Sequence, residues 1–255
     1  MKKTALLAAA AAAMLATPAM AEGYLGLGYQ DSRGGNGFQD GDGWYGEGAW
    51  GHSGAGWGGQ IDGSFGSIDF GAGDEGDLWA LTGHVFYSAD SWRLGGVLGT
   101  SNADFGGGAD FEETFYGVEG TYNMAPNAVL SGSATFGDLD FFFGSADTWN
   151  VDAALNFYAT DNLRFGFNLG TGNIDAGGGL DDSSTTYGLN GEWKAASWPV
   201  SFGVDYTHYE EDVATSERDV LLAAVRWNFG ESLRSRDNGT PFNTRGNLQR
   251  HYGIQ

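Results

Sequence analysis

Along residues 148–170, apolar and polar positions alternate with a period of two. Trp149, Val151, Ala153, Leu155, Phe157 and Ala159 take one parity; Asn150, Asp152, Asn156 and Tyr158 take the other. After Thr160-Asp161-Asn162 the alternation resumes, with Leu163, Phe165, Phe167 and Leu169 set against Arg164, Gly166, Asn168 and Gly170. Successive side chains of a strand point to opposite faces, so this period predicts two strands. The short Asp-Asn turn between them predicts a β-hairpin. The first run, Thr148 to Ala159, is longer than the roughly five or six residues usual in a soluble sheet. A tilted strand that crosses a bilayer needs about 9–11 residues. The hairpin therefore reads as membrane-crossing, and the chain as repeating it until the sheet closes.

The same alternation predicts about twelve strands, an even count of the kind a closed membrane barrel requires. They fall near 23–30, 43–51, 57–66, 78–88, 92–100, 113–124, 129–136, the two above, 185–194, 199–208 and 218–229. The connections alternate between short turns and long, Gly- and acid-rich loops. One long loop, 137–147, contains Phe141-Phe142-Phe143. Membrane barrels have short periplasmic turns and long outer loops. Of nine Trp, eight lie on the apolar parity near strand ends. Trp44, Trp79 and Trp149 are expected at the outer edge, and Trp50, Trp57, Trp92, Trp193 and Trp227 at the periplasmic edge, as two aromatic girdles. A soluble β-sandwich would bury its Trp at mid-strand instead.

Composition and charge narrow the class. Met1-Lys2-Lys3, an apolar run from Ala5 to Leu15 and the ending Ala19-Met20-Ala21 read as a secretory signal peptide over 1–21, with a mature start at Glu22. No other stretch approaches the roughly 18 apolar residues of a transmembrane helix. Without cysteine there is neither a disulfide framework nor a thiolate metal site. Forty-five glycines with 15% aromatics fit neither a disordered chain, which has few aromatics, nor collagen, which needs glycine at every third position. Residues 22–230 hold 31 acids against six basic residues, a net charge of −25. That balance argues against nucleic acid as a partner and allows cations or cationic solutes.

With these features, and a last strand ending Val225-Arg226-Trp227-Asn228-Phe229, the chain resembles Gram-negative outer-membrane β-barrels of the porin type. The resemblance implies an all-β fold, a transmembrane antiparallel up-and-down barrel set among the lipids of the cell outer membrane. It implies a channel for passive diffusion of small hydrophilic solutes and ions. The terminal aromatic resembles the signal that the barrel-assembly machinery reads in such proteins. In one respect the chain departs from the pattern: family members usually stop at that aromatic, whereas here Gly230 to Gln255 follow.

Candidate chemistry lies on the polar parity. Glu47, Asp62, Glu119, Asp152 and Asp205 occupy mid-strand positions, and Arg93, Arg164, Lys194 and Arg226 lie near the periplasmic ends. A lipid-facing Arg or Lys at mid-depth costs about 2–4 kcal/mol, so these groups should face the lumen. The expectation is an acidic waist above a basic ring, lining a pore of modest cation preference. A packed interior in which the charges merely pair is the competing expectation. The clusters Asp40-Gly41-Asp42, Asp74-Glu75 and Glu210-Glu211-Asp212 read as a solvated acidic surface rather than as Ca²⁺ or Mg²⁺ sites. A non-conducting structural or adhesive barrel, acting through those outer loops, is the alternative function. No metal or cofactor is expected. His84 stands alone in the lumen, His52-Ser53 falls in a periplasmic turn, and Asp205 and His208 point to opposite faces. No nucleophile–base–orienter set emerges, so the chain does not read as an enzyme. Residues 231–255 carry Arg234, Arg236, Arg245 and Arg250 against Glu231 and Asp237. This basic tail is expected as a disordered periplasmic end; a plug reaching into the lumen is the alternative.

Overall fold

The structure, a computed structural model, describes residues 22–35, 40–53, 56–71, 75–106, 110–142, 144–177, 181–212 and 216–252. The expected signal peptide, 1–21, lies outside the described residues, as do the tips of the outer connections, Asp74 among them.

Twelve strands close into one antiparallel barrel. They are β1 (Glu22–Gly35), β2 (Gly41–His52), β3 (Gly56–Asp69), β4 (Glu75–Ser88), β5 (Trp92–Asp104), β6 (Asp110–Ala125), β7 (Ala128–Phe141), β8 (Gly144–Thr160), β9 (Leu163–Asp175), β10 (Asp181–Lys194), β11 (Val200–Glu211) and β12 (Ser216–Asn228). Each strand pairs with its sequence neighbours, and β1 closes on β12 from Tyr24 opposite Asn228 to Gly35 opposite Glu217. Closure removes the unpaired edge that an open sheet would present to lipid.

The strands run past their expected outer ends. β3 continues to Asp69 and β9 to Asp175, while β4 begins at Glu75 and β8 at Gly144. Much of each expected long loop is therefore ladder, and Phe141 belongs to β7. The cause is physical. Alternation of apolar and polar residues marks only the depth at which one face meets hydrocarbon. Above that depth the outward face is polar and several inward positions, such as Ile68, Leu78 and Leu139, are apolar, so the alternation inverts although backbone pairing continues.

Outward-facing side chains form the lipid belt. Leu98, Val85, Leu189 and Val118 are each 60% or more exposed, a surface that only an apolar medium covers. Aromatics bound the belt on both sides. Trp44 meets Phe65 edge-on at 5.7 Å toward the outer end. Trp57, Tyr87 and Trp92 form a chain at 5.8 and 6.1 Å toward the end that carries the short turns. Above the outer aromatics the same outward parity turns acidic. Asp31 faces Asp42, Asp42 faces Asp69, and Asp69 faces Glu75. Asp104 lies between Asp77 and Asp110, and Asp138, Asp147, Asp175 and Asp181 follow one another across four strands. Like charges placed opposite one another are destabilising, so this carboxylate collar belongs in water.

The C-terminal segment corrects the expectation of a disordered end. It folds back into the barrel as α1 (Leu233–Gly239), an extended stretch 240–246, and α2 (Asn247–Tyr252). Ser232 caps α1, its hydroxyl accepting from the Ser235 amide at 3.0 Å. Leu233, Phe242 and Leu248 are buried. Near the outer end Leu248 packs with Ile68, Leu78, Ala103, Leu139 and Ala146, flanked by Phe70, Phe105, Phe111, Phe141 and Ile174.

Candidate functional site

The lumen holds the C-terminal segment through polar contacts at three levels. At the periplasmic level Arg236 meets Glu192 in a two-pronged pair, at 2.6 and 2.9 Å. Glu192 also takes Arg164 at 3.1 Å and Arg226 at 3.2 Å, and accepts from the Ser201 hydroxyl at 2.5 Å. Arg226 in turn donates to Glu47 at 2.5 Å. Asp237 accepts from Arg164 at 2.8 Å and from the Tyr158 hydroxyl at 2.7 Å. Lys194 donates to the Glu231 carbonyl at 2.9 Å, and Arg93 reaches the Asn238 side chain at 3.3 Å. Charge-assisted, two-pronged arginine pairs are the strong members of their class, and here they are largely shielded from water.

Burial alone would raise the Asp237 carboxyl, but Arg236 and Arg164 outweigh it and hold the group below the usual carboxylate range. A carboxylate depressed in the docked state favours docking above its free value, and that contribution fades as pH falls through the depressed value. The expected result is hydrogen-exchange protection of 233–239 that is steady from neutral pH to about pH 4, near the free Asp value, and weaker below it. Asp237→Asn should lower protection at neutral pH and match the native chain in acid. Two curves that differ by the same margin at every pH would remove this role for Asp237.

At mid-level Gln60 brackets the backbone of Phe242, donating to its carbonyl at 2.7 Å and accepting from its amide at 3.2 Å. The Phe242 ring stacks on His84 at 5.9 Å and meets Phe86 edge-on at 5.2 Å. His84 is not alone: its Nδ1 lies 2.9 Å from Glu119 and its Nε2 3.0 Å from Asp62. Glu119 also accepts from the Thr244 hydroxyl at 2.6 Å.

At the outer level Glu113 is fully buried and caps the start of α2, accepting from the amides of Asn247 at 2.9 Å and Leu248 at 2.8 Å. Unsatisfied amides at a helix start favour an anion. Thr148 and Ser101 donate to the same carboxylate. Arg250 pairs with Asp152 at 3.2 Å and donates to Thr186 at 3.0 Å and to Asn150. Glycines in the wall make room for it. A Cβ at Gly170 would lie 2.6 Å from one Arg250 nitrogen, and a Cβ at Gly172 would lie 2.7 Å from the other.

All nine charged residues expected in the lumen lie on its inward-facing parity. Glu119, Asp152, Arg93, Arg164 and Lys194 touch the C-terminal segment directly. Glu47 reaches it through Arg226 and Glu192, and Asp62 through His84 and Gln60. Asp205 is half-buried, with no ion pair among the described residues. Acids and bases interlock rather than forming two tiers. Sequence reasoning did not single out Glu192 and Glu113, although both lie on the polar parity. Nor did it assign contacts to Arg236, Asp237 and Arg250, for which the opposite charge of tail and barrel was the available signal. A cavity of about 240 Å³ remains between the segment and the wall.

No family model matches the sequence, and no curated protein matches it. Among solved structures, the translocator domain of the autotransporter NalP from Neisseria meningitidis aligns over 89% of this chain and 94% of its own, with a TM-score of 0.54 and 12% identity. The fold is that of an outer-membrane β-barrel. The β domain of the Bordetella autotransporter BrkA aligns over 82% of this chain and 99% of its own, with a TM-score of 0.51 and 14% identity. An anion-selective porin from Comamonas acidovorans aligns over 82% and 98%, with a TM-score of 0.49 and 8% identity. At these identities the likeness is one of fold. Like other outer-membrane β-barrels, this one meets lipid with its apolar belt and water with its lumen and collar.

Proposed function

We propose that the protein is a porin-like channel for passive diffusion of small hydrophilic solutes and ions, held shut by its own C-terminal segment. It is not an enzyme in this reading, and its Val225–Phe229 strand end is the signal for the barrel-assembly machinery. One observation carries the proposal: a segment outside the strand ladder occupies the lumen, seated mainly on polar contacts. Water can take over each polar contact, at a net cost of about 0.5–1.5 kcal/mol for a neutral hydrogen bond and about 1.5–3 kcal/mol for one to a charged group, so the closed form is the favoured one and the segment leaves in a minority of molecules. Its departure removes four arginines and two acids, Glu231 and Asp237. It exposes Glu192, Glu113 and Asp152, so the open form prefers cations.

Single-channel recording in planar bilayers tests this. The full chain is expected to stay mostly silent, and a chain ending at Gly230 to give frequent, cation-selective steps. The chain lacks cysteine, so a Cys pair introduced at Ser53 and Asn238, where the Ser53 hydroxyl donates to the Asn238 backbone carbonyl at 2.5 Å, is the means of tethering the segment to the wall. Oxidised protein should be closed, and reduction should permit opening. A correctly folded shortened barrel without steps, or with anion selectivity, would sink the proposal. The silent outcome is what the second reading, a non-conducting structural barrel, requires. That reading is favoured by the outer apolar cluster, whose wall residues could pack together even without Leu248.

A further inference from the structure

The cavity beside the C-terminal segment has the opposite charge character from the chain as a whole. Its lining carries seven arginines against five carboxylates, a net charge of +2, in a protein of net charge −21. Arg164, Arg226, Arg236 and Arg250 are matched to carboxylates as described above. Arg93, Arg234 and Arg245 have no carboxylate within ion-pair distance among the described residues, while Asp205 is the one unmatched acid lining the cavity. Arg93 and Arg234 meet at α1 near the periplasmic end: Arg234, in its first turn, lies 5.7 Å from the Tyr158 ring centre, and Arg93 reaches Asn238, an exposed residue of the same helix.

The wall next to them is built to donate. Thr121 stands opposite Arg93 on β6, and Ser131 stands opposite Thr121 on β7, so the three form one inward row. The Thr121 hydroxyl is buried and lacks a hydrogen-bond partner, as does the Arg93 Nε. Buried polar atoms are normally satisfied, and orphans call for an explanation. A bound oxyanion supplies one, since guanidinium and hydroxyl groups both donate to it.

We propose that this cavity is a binding site for one small, hydroxyl-bearing oxyanion entering from the periplasmic side, held by Arg93, Arg234 and Thr121. The space of about 240 Å³ admits a ligand of the size of a monosaccharide acid or phosphate. Neutral sugars of the same size lack the charge that the two arginines require.

Isothermal calorimetry on the full chain in detergent micelles, with gluconate, glucose-6-phosphate, inorganic phosphate and glucose at constant ionic strength, tests the site. Saturable binding of gluconate or glucose-6-phosphate, with none of glucose, is expected; which of the two is tighter separates a carboxylate from a phosphate ligand. Arg93→Gln and Arg234→Gln should each weaken binding about ten-fold, as loss of a charge-assisted contact does, whereas Arg33→Gln at the outer rim should not. Thr121→Val should weaken it less while leaving the fold intact. No saturable binding of any anion, or equal binding by the Arg93→Gln/Arg234→Gln double variant, overturns the proposal. The measurement involves no conductance, so its result stands apart from that of the channel recordings.

Discussion

Glu192→Ala is expected to destabilise the lumen by about 3–5 kcal/mol, the usual result of breaking a buried ion pair from one side. Glu192 is 2% exposed and is the common acceptor for Arg164, Arg226 and Arg236. Without it three guanidinium groups face one another in a confined space, with Glu47 and Asp237 left to balance them. Arg236→Ala should cost less, because Glu192 keeps two arginine partners. The two changes together should cost less than their sum, as expected for residues in one network. Guanidinium unfolding in micelles reads the stability of the barrel, and trypsin cleavage at Arg234 reads release of the segment. A Glu192→Ala protein that unfolds like the native chain and protects Arg234 equally well would show that the network is not what seats the segment.

Leu98→Arg is expected to cost about 2–4 kcal/mol, the depth-dependent penalty for a basic side chain at the middle of a lipid-facing strand. Leu98 is 62% exposed and lies between Trp92 at one end of β5 and the acidic rim at the other. The paired control is Ser133→Lys, on the inward parity, lining the cavity and standing opposite Glu119 and Asp152 on the neighbouring strands. It adds a basic charge as well, but toward water and carboxylates, and should shift stability by less than about 1 kcal/mol. Urea unfolding of both variants in lipid vesicles gives the comparison. If the two cost the same, the outward parity does not meet hydrocarbon.

The barrel was legible because lipid imposes its own period on the chain. Trp149 to Ala159 and Leu163 to Leu169 alternate strictly, and the structure turns those faces outward over that depth. The outer strand ends were not legible. At Asp69, Asp104 or Asp175 no hydrocarbon selects an apolar outward face, and the apolar residues beside them, Ile68, Ala103 and Ile174, point inward, so the outward-apolar pattern that marks the strands elsewhere is lost. The role of the last 25 residues was also hidden. α1 and α2 are too short to show an apolar stripe, and the partners of the segment, such as Glu192, Gln60, Glu113 and Glu22, lie up to 213 positions away in the chain. What could be read was the sign of the charge: a basic tail beside an acidic barrel.

The carboxylate collar has a mechanical consequence. Its acids continue the same outward face that carries Leu98 and Val118, only farther along the strands. Sinking the barrel by one turn of the girdle would drag several ionised groups into hydrocarbon at once. Rising by the same amount would lift Trp57, Trp92 and Trp193 out of the interface and into the acyl chains. The molecule is thus held at a fixed depth from both sides, floating at one waterline as a loaded hull does.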